Sequence, residues 1–176
     1  MTNQLAETTY IALLRAVNVG GTGKLPMADL RRMCEALGFT YVRTYIASGN
    51  VVFRSDLTAA KVKSTLEASL EIYAAKPVGV MIRHVAEMAD VLAANPFADA
   101  PPNRVVAIFL QTPPPAATDM VVKGQRNEQI KCGKREIYVH YGDGMADSKL
   151  SIAEAKSGTA RNMNTIAKLV EMARDV

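Results

Sequence analysis

The 176-residue sequence contains no tryptophan, only two cysteines and no long run of apolar residues. A helix needs a run of about 18 apolar residues to cross a bilayer, so no membrane-spanning segment is predicted. The polar residues 1–8 lack the hydrophobic region of a signal peptide and are expected to form a flexible N-terminus. Cys34 and Cys132 lie far apart without Cys-x-x-Cys spacing, which favours two buried free thiols in a cytoplasmic protein.

Positive charge is in modest excess, with a formal net charge of +4. Lysine and arginine are spread along the chain, and the densest group (Lys131, Lys134 and Arg135) flanks Gly133, as is typical of an exposed hairpin turn. This distribution permits a phosphate-bearing ligand but lacks the basic stripe of a nucleic-acid-binding surface. The hydrophobic fraction of 49% and the charged fraction of 22% are those of a globular protein, which excludes wholesale disorder.

The first half of the chain predicts the element order βαββαβ. Apolar periodicity and turn residues indicate a buried strand at Thr9–Arg15, a helix from Pro26 to Gly38, strands at Tyr41–Ile46 and Asn50–Phe53, a helix capped by Asp56 or Thr58, and a strand at Val78–Arg83. The inward face of the second helix is predicted to be Val62, Leu66, Leu70 and Tyr73. This order is that of the ferredoxin-like fold, or α-β plait.

The second half predicts βαββαα and lacks a clear fourth strand. Its elements are a strand at Arg104–Gln111, a short helix, a hairpin of Glu128–Cys132 and Glu136–Tyr141, a helix around Met145–Lys156, and a terminal helix capped by Thr159. We therefore predict an α+β protein of two ferredoxin-like halves, 9–95 and 104–176, joined by a linker at 96–103. Nothing in the sequence specifies an oligomeric state.

The most informative segment follows the first strand. Gly20 and Gly21 would let the backbone approach a ligand, the next helix offers free N–H groups, and Lys24 adds a positive charge. The segment departs from a phosphate-binding P-loop, because Asn18 stands at the first glycine position and Leu25 at the Ser/Thr position. Two interpretations stay open, an anion-binding loop and an ordinary glycine-rich connection.

A second polar cluster lies at the predicted start of the terminal helix. Arg161, Asn162 and Asn164 occupy helix positions that they intrinsically disfavour, which indicates either a functional site or a capping segment. Catalytic sets are otherwise missing. His84 and His140 occur singly, so no metal site or cofactor is predicted. RNA recognition is disfavoured as well, because the segment 50–55 does not match the aromatic motif of RNA-binding sheets.

Several segments together resemble the bacterial family catalogued as domain of unknown function 1697; they are Thr9–Gly21, Lys24–Met27, Leu37–Phe39, Thr44–Phe53, Ser148–Leu150 and Thr159–Thr165. The resemblance covers nearly the whole chain. It implies a two-part ferredoxin-like α+β fold and no particular activity. The chain departs from the family pattern at Ala16, where a glycine is usual, and at Met163, where a tryptophan is usual.

These observations favour a protein that binds a small anionic ligand, such as a nucleotide or another phosphate-bearing molecule. The candidate binding residues are Arg15, Asn18, Gly20, Gly21, Lys24, Ser48, Asn50, Ser148, Lys149, Arg161, Asn162 and Asn164. One alternative is an enzyme that uses the same site, with Lys24 or Lys149 transferring protons. Another is a structural or interaction module. Whether the two polar clusters share one pocket stays open.

Overall fold

The computed structural model describes residues 6–18 and 24–176. Within these residues the protein is a mixed α+β structure with four α-helices and several antiparallel sheets. The chain divides into two compact units, Met1–Glu87 with Leu169–Val176, and Met88–Lys168. The helices are α1 (Met27–Ala36), α2 (Ala59–Ala74), α3 (Val85–Ala93) and α4 (Met163–Arg174), and the boundary between the units falls inside α3 and inside α4.

A four-stranded antiparallel sheet organises the first unit. Its strands are β1 (Thr8–Leu14), β2 (Thr40–Tyr45), β3 (Asn50–Ser55) and β4 (Val80–His84), arranged in the order β2-β3-β1-β4. β1 is an inner strand, with Ile11 opposite Val52 on one side and Arg83 on the other. Its last five residues are buried, which explains why the sequence is apolar at both odd and even positions.

Helices α1 and α2 bury regular apolar stripes in the first unit. Leu30 and Cys34 are buried on α1, and the predicted residues Val62, Leu66 and Leu70 are buried on α2. Thr58 caps α2 by accepting a hydrogen bond from the Lys61 N–H at 3.3 Å, and Gly38, with φ +87°, follows α1 as predicted. Tyr73 was wrongly predicted to face inward: it is 46% exposed, because its hydroxyl donates to Asp29 at the surface.

A second antiparallel sheet organises the other unit. Its strands are β5 (Val105–Phe109), β7 (Gln129–Cys132), β8 (Glu136–His140) and β10 (Thr159–Asn162), in the order β10-β5-β8-β7. Two short strands, β6 (Val122–Lys123) and β9 (Ser151–Ile152), pair separately. Short 3-10 helices lie at Pro102–Arg104, Ala117–Asp119 and Ala153–Ser157.

The second unit corrects three sequence predictions. A fourth strand exists, because Thr159–Asn162 pairs with β5 rather than beginning the terminal helix. The helix predicted around Met145–Lys156 is instead β9 followed by a 3-10 helix, and the short helix predicted after Pro115 is a single 3-10 turn. Each of these segments is too short to show a period, so pairing with distant strands decides its conformation.

The two sheets share one strand order. Numbered within each sheet along the chain, the strands lie in the order fourth, first, third, second in both. The connections differ: α1 and α2 join strands of the first sheet, whereas 3-10 helices and short strands occupy the corresponding places in the second. The same strand order therefore forms whether helices or short irregular segments connect the strands.

The cysteines differ in environment. Cys34 is buried, and burial raises its pKa to about 12. Cys132 was wrongly predicted to be buried: it is exposed, because it lies on the edge strand β7, where three of the four residues are exposed. In the described part of the chain, no helix has both the length and the apolar character needed to span a membrane. Of the predicted flexible N-terminus, residues 1–5 lie outside the described residues, and Thr8 is the first residue of β1.

Candidate functional site

The chain leaves β1 through a backbone conformation that suits glycine or asparagine. Ala16 and Asn18 have φ values of 53° and 55°, in the left-handed region. Just before them, the Arg15 backbone N–H donates to Gly79 O at 2.8 Å. A glycine at position 16 would adopt this φ without strain, whereas Ala16 costs about 1 kcal/mol. Ala16, which stands where the family pattern has glycine, is therefore accommodated with modest backbone strain.

Asn18 braces the loop that follows β1. Its Nδ2 donates to Leu25 O at 2.8 Å and to Ala47 O at 2.7 Å, and its Oδ1 accepts the Leu25 N–H at 2.7 Å. Both amide hydrogens are thus used within the chain. The side chain ties the segment after β1 to Leu25, two residues before α1, and to the turn between β2 and β3. Gly20 and Gly21, the other predicted residues of this loop, lie outside the described residues.

The turn between β2 and β3 is organised by Asn50. This side chain is fully buried, and its Nδ2 donates to Tyr45 O and to Ser48 Oγ, each at 2.9 Å. Asn50, the first residue of β3, therefore provides a hydrogen-bond donor for the carbonyl of Tyr45 and for the side chain of Ser48 within the turn. The predicted residues Ser48 and Asn50 contact one another in this turn.

Gly49 sits where this turn approaches the end of β1. It has φ +88°, and the Leu14 N–H donates to its carbonyl oxygen at 2.8 Å. A Cβ at this position would lie 2.6 Å from Val17 Cγ2 and 2.8 Å from Leu14 Cβ. Only glycine fits both the conformation and the close approach.

A cavity of about 220 Å³ lies next to the segment that follows β1 in the first unit. Six of its nine lining residues are apolar, and the other three are two lysines and a tyrosine; the lining is Ala16, Val17, Lys24, Leu25, Leu70, Tyr73, Ala74, Lys76 and Val78. Leu25, Leu70 and Val78 are buried, whereas Lys24, Tyr73 and Lys76 are exposed. The site thus combines an apolar surface with two cationic groups.

A charged pair fixes the tyrosine at this cavity. The Tyr73 hydroxyl donates to Asp29 Oδ2 at 2.8 Å, and Arg32 forms an ion pair with Oδ1 of the same carboxylate. The hydrogen bond from Tyr73, followed by that from Arg32, lowers the pKa of Asp29, and the same bond raises the pKa of Tyr73. At neutral pH the carboxylate is therefore ionised and the phenol keeps its proton.

The Ser148 and Lys149 segment belongs to the second unit. Ser148 Oγ donates to Glu128 Oε1 at 2.6 Å and accepts the Leu150 N–H at 3.2 Å. Glu128 is buried and also accepts the Arg126 N–H at 2.6 Å. The bond from Ser148, and then the backbone bond from Arg126, lower the pKa of Glu128. Ser148 therefore joins two stretches of this unit, while Lys149 is exposed.

Ser148→Ala is expected to destabilise the protein at pH 7 and to do so less at pH 3. A carboxylate whose folded-state pKa is lowered adds stability above its unfolded-state pKa, and that stability is lost as pH falls through the folded-state pKa. Urea unfolding at both pH values measures the difference, with the exposed Ser151→Ala as control. An equal loss at both pH values would contradict the role given to Glu128.

Arg161 lies on β10 and is 7% exposed. Its Nη1 donates to Thr159 Oγ1 at 2.7 Å and to Ala160 O at 2.9 Å. Burial lowers the pKa of the guanidinium to about 10, so it carries its charge at neutral pH. The predicted helical position of Arg161 is wrong, because the residue lies on a strand, where it pairs with Ala107 of β5.

Asn162 is the residue that caps α4. Its Oδ1 accepts the Thr165 N–H at 2.9 Å, an N-cap bond that the sequence had placed at Thr159. Asn164 is exposed in the first turn, and Met163, where the family pattern has tryptophan, is buried. The capping interpretation of this segment thus holds for Asn162 through a direct hydrogen bond.

The chain matches one family model and is similar to a solved bacterial structure. Residues 8–138 match the family model described as protein of unknown function (DUF1697). The chain belongs to the DUF1697 family. A solved structure, the conserved bacterial protein SP0830 from Streptococcus pneumoniae, superposes with a TM-score of 0.75 at 22% identity, covering 96% of this chain and 99% of that chain. No curated protein matches the sequence. The likeness to this bacterial protein shows that the fold is shared.

Within this DUF1697 protein, the predicted site residues fall in both units. Arg15, Asn18, Lys24, Ser48 and Asn50 belong to the first unit, and Ser148, Lys149, Arg161, Asn162 and Asn164 to the second. Of all these, only Lys24 lines the cavity. The described residues include no group of three or more His, Cys, Asp or Glu side chains placed to hold a metal ion.

Sequence reasoning missed Tyr73 and Lys76 as cavity residues. Tyr73 was taken as part of the apolar stripe of α2, and Lys76 follows that helix directly before Pro77. A lysine just past a helix end gives no signal of its own, because such residues usually complement the helix dipole. Tyr73 and Lys76 are recognised as cavity residues only from the structure, in which the end of α2 lines the same cavity as the segment that follows β1.

Proposed function

We propose that this protein binds a small anionic ligand in the cavity of the first unit. The observation that carries the proposal is the joint presence of Lys24 and Lys76 on a lining that is otherwise mostly apolar. Lysine ammonium groups attract an anion more strongly beside low-dielectric walls than in open water. Pockets of this composition, apolar with a few convergent polar groups, are the usual form of a small-molecule site.

The size of the cavity limits the ligand. A volume of about 220 Å³ lies below the roughly 300–1,000 Å³ typical of sites for drug-sized molecules. The proposed ligand is therefore a small metabolite, or the anionic end of a larger one. This favours simple phosphorylated or carboxylated compounds over a complete nucleotide.

The proposal changes the roles of the first-unit residues. Lys24 and Lys76 contact the anion, with Val17, Leu25, Leu70 and Val78 as apolar walls. Asn18 acts by holding Leu25 in place through its two hydrogen bonds to that residue's backbone. Ser48 and Asn50 act one step further away, since they shape the turn that Asn18 reaches at Ala47.

The test is a binding measurement on the double variant Lys24→Gln with Lys76→Gln. We screen the intact protein by thermal shift against phosphorylated and carboxylated metabolites and measure the affinity of each hit by calorimetry. Each lost charge-assisted hydrogen bond costs about 1.5–3 kcal/mol, so the double variant should bind at least about 100-fold more weakly.

A matched control removes the same charge elsewhere. Lys61→Gln with Lys134→Gln changes two exposed lysines that do not line the cavity, and it should retain the affinity of the wild type. Equal affinity in the cavity variant and the control variant would refute the proposed site. Equal losses in both would indicate a general charge effect and would also count against it.

A second candidate function is a structural or interaction module. The specific observation is that Asn18 and Asn50, both in the segments that resemble the family, direct their amides to backbone atoms of their own unit. On this hypothesis the family segments maintain the fold and no small ligand exists. A large stability loss on changing these asparagines, together with an empty ligand screen, would favour it.

We also propose a fold type and a location. The first unit has the chain order βαββαβ and the strand order β4-β1-β3-β2 of a ferredoxin-like domain, and the second repeats that strand order. Two thiols without a disulfide suit a reducing compartment such as the cytoplasm.

A further inference from the structure

We infer that the ligand of this cavity is a phosphomonoester with a compact apolar body, an inference that rests on the function proposed above. The cavity offers three kinds of surface: two lysines, an apolar wall and a tyrosine whose proton is already donated. Each of these limits the chemistry of one part of the ligand.

The cations indicate the charged group. Among the described residues, the two cationic groups that line the cavity are the lysines Lys24 and Lys76. Lysine acts as a point charge without a fixed planar geometry, and it is a common phosphate binder. A phosphomonoester carries nearly two negative charges at neutral pH, and lysines attract it more strongly than a carboxylate or a sulfate ester, each of which carries one.

The apolar wall indicates the rest of the molecule. Val17, Leu70 and Val78 present hydrocarbon surface, and burying a polar group there without a partner is unfavourable. Inorganic phosphate would leave this surface unused, and a sugar or a nucleobase would place hydrogen-bonding groups against it. An alkyl or aryl group instead gains free energy from the apolar surface that it buries.

Tyr73 separates the two ends of the ligand. Because its hydroxyl donates to Asp29, the proton is not available for a phosphate oxygen. The ionised Asp29, which already pairs with Arg32, also disfavours a second anion close to that hydroxyl. The phosphate is therefore assigned to Lys24 and Lys76, and the carbon body to the ring of Tyr73 and the apolar wall.

The experiment compares three probes with the intact protein: phenyl phosphate, phenyl sulfate and inorganic phosphate. Phenyl sulfate has nearly the same shape as phenyl phosphate but a single charge at every working pH. Calorimetry at pH 7.5 is expected to show phenyl phosphate binding at least about tenfold more tightly than either of the other two probes. The Lys24→Gln, Lys76→Gln double variant should lose this binding.

A second arm uses pH. The second ionisation of a phosphomonoester has a pKa of about 6, so at pH 5 about a tenth of the probe remains doubly charged. The advantage of phenyl phosphate over phenyl sulfate should therefore fall by about fivefold to tenfold between pH 7.5 and pH 5. The affinity of phenyl sulfate itself should change little, which controls for titration of the protein.

The outcomes separate this inference from the proposed function. If phenyl sulfate or inorganic phosphate binds as tightly as phenyl phosphate, and the double variant still loses that binding, the phosphomonoester inference is overturned while anion binding stands. If phenyl phosphate binds the double variant and the wild type equally, both are overturned. If none of the three probes binds, the phosphomonoester inference is overturned, and the metabolite screen alone decides the proposed function.

Discussion

Gly49→Ala is expected to lower the free energy of unfolding by about 3 kcal/mol. Two costs add at this position. The residue has φ +88°, where a Cβ is strained by about 1–2 kcal/mol. The new Cβ would also lie 2.6 Å from Val17 Cγ2 and 2.8 Å from Leu14 Cβ, and overpacking of this kind costs about 1–3 kcal/mol. Leu14 cannot yield easily, because it is fully buried at the end of β1.

Gly38→Ala is the matched control for this prediction. Gly38 has nearly the same φ, +87°, but a Cβ there would meet nothing within 4 Å. It therefore carries the conformational cost alone and should lose about 1 kcal/mol. Urea unfolding of both variants measures the difference between them. If the two lose equal stability, the close approach of the turn to β1 has no energetic importance, and the account of Gly49 fails.

Asn18→Ala is expected to cost about 2–3 kcal/mol of unfolding free energy, although the residue is exposed. The substitution removes three hydrogen bonds, each contributing about 0.5–1.5 kcal/mol. It also replaces asparagine, which tolerates the left-handed conformation, at a position with φ 55°. Substitutions of exposed residues usually change stability by less than about 0.5 kcal/mol. A loss of about 2–3 kcal/mol would therefore show that Asn18 stabilises the loop through its hydrogen bonds.

Asn164→Ala provides the comparison, since Asn164 is also an exposed asparagine of the family segments. Alanine is a better helix former than asparagine, so this variant should be unchanged or slightly more stable. Thermal and urea unfolding of both variants would be measured without ligand. A neutral Asn18→Ala would show that the three hydrogen bonds contribute nothing net, and it would restore Asn18 as a candidate for direct ligand contact.

Periodicity predicted the long elements of this protein well. The apolar segment that became β1, the stripe of α2 from Val62 to Leu70, and the positions of Thr58 and Gly38 at helix ends all follow from local rules. Each of these elements is specified by its own residues, through spacing, capping or a required backbone conformation.

β10 shows where local rules fail. Thr159–Asn162 contains three polar residues, a composition that suits a helix start as well as a strand end, and pairing with β5 decides between them. The same limit applies to the cavity, whose described lining comes from the segments after β1 and before α1, from the last turns of α2 and from the segment before β4. Lys24 was predicted because it follows a glycine-rich loop, whereas Lys76 has no comparable local context.

The shared strand order of the two sheets has a consequence for how such a chain can change. In the first unit, helices connect the strands of the sheet. In the second unit, short 3-10 helices and strands make the corresponding connections. The return path can therefore be rebuilt, lengthened or shortened while every strand keeps its neighbours. The inner strands have no such freedom, because β5 pairs with both β8 and β10, and β1 with both β3 and β4. Sequence variation should accordingly accumulate in the crossings and be purged from these inner strands.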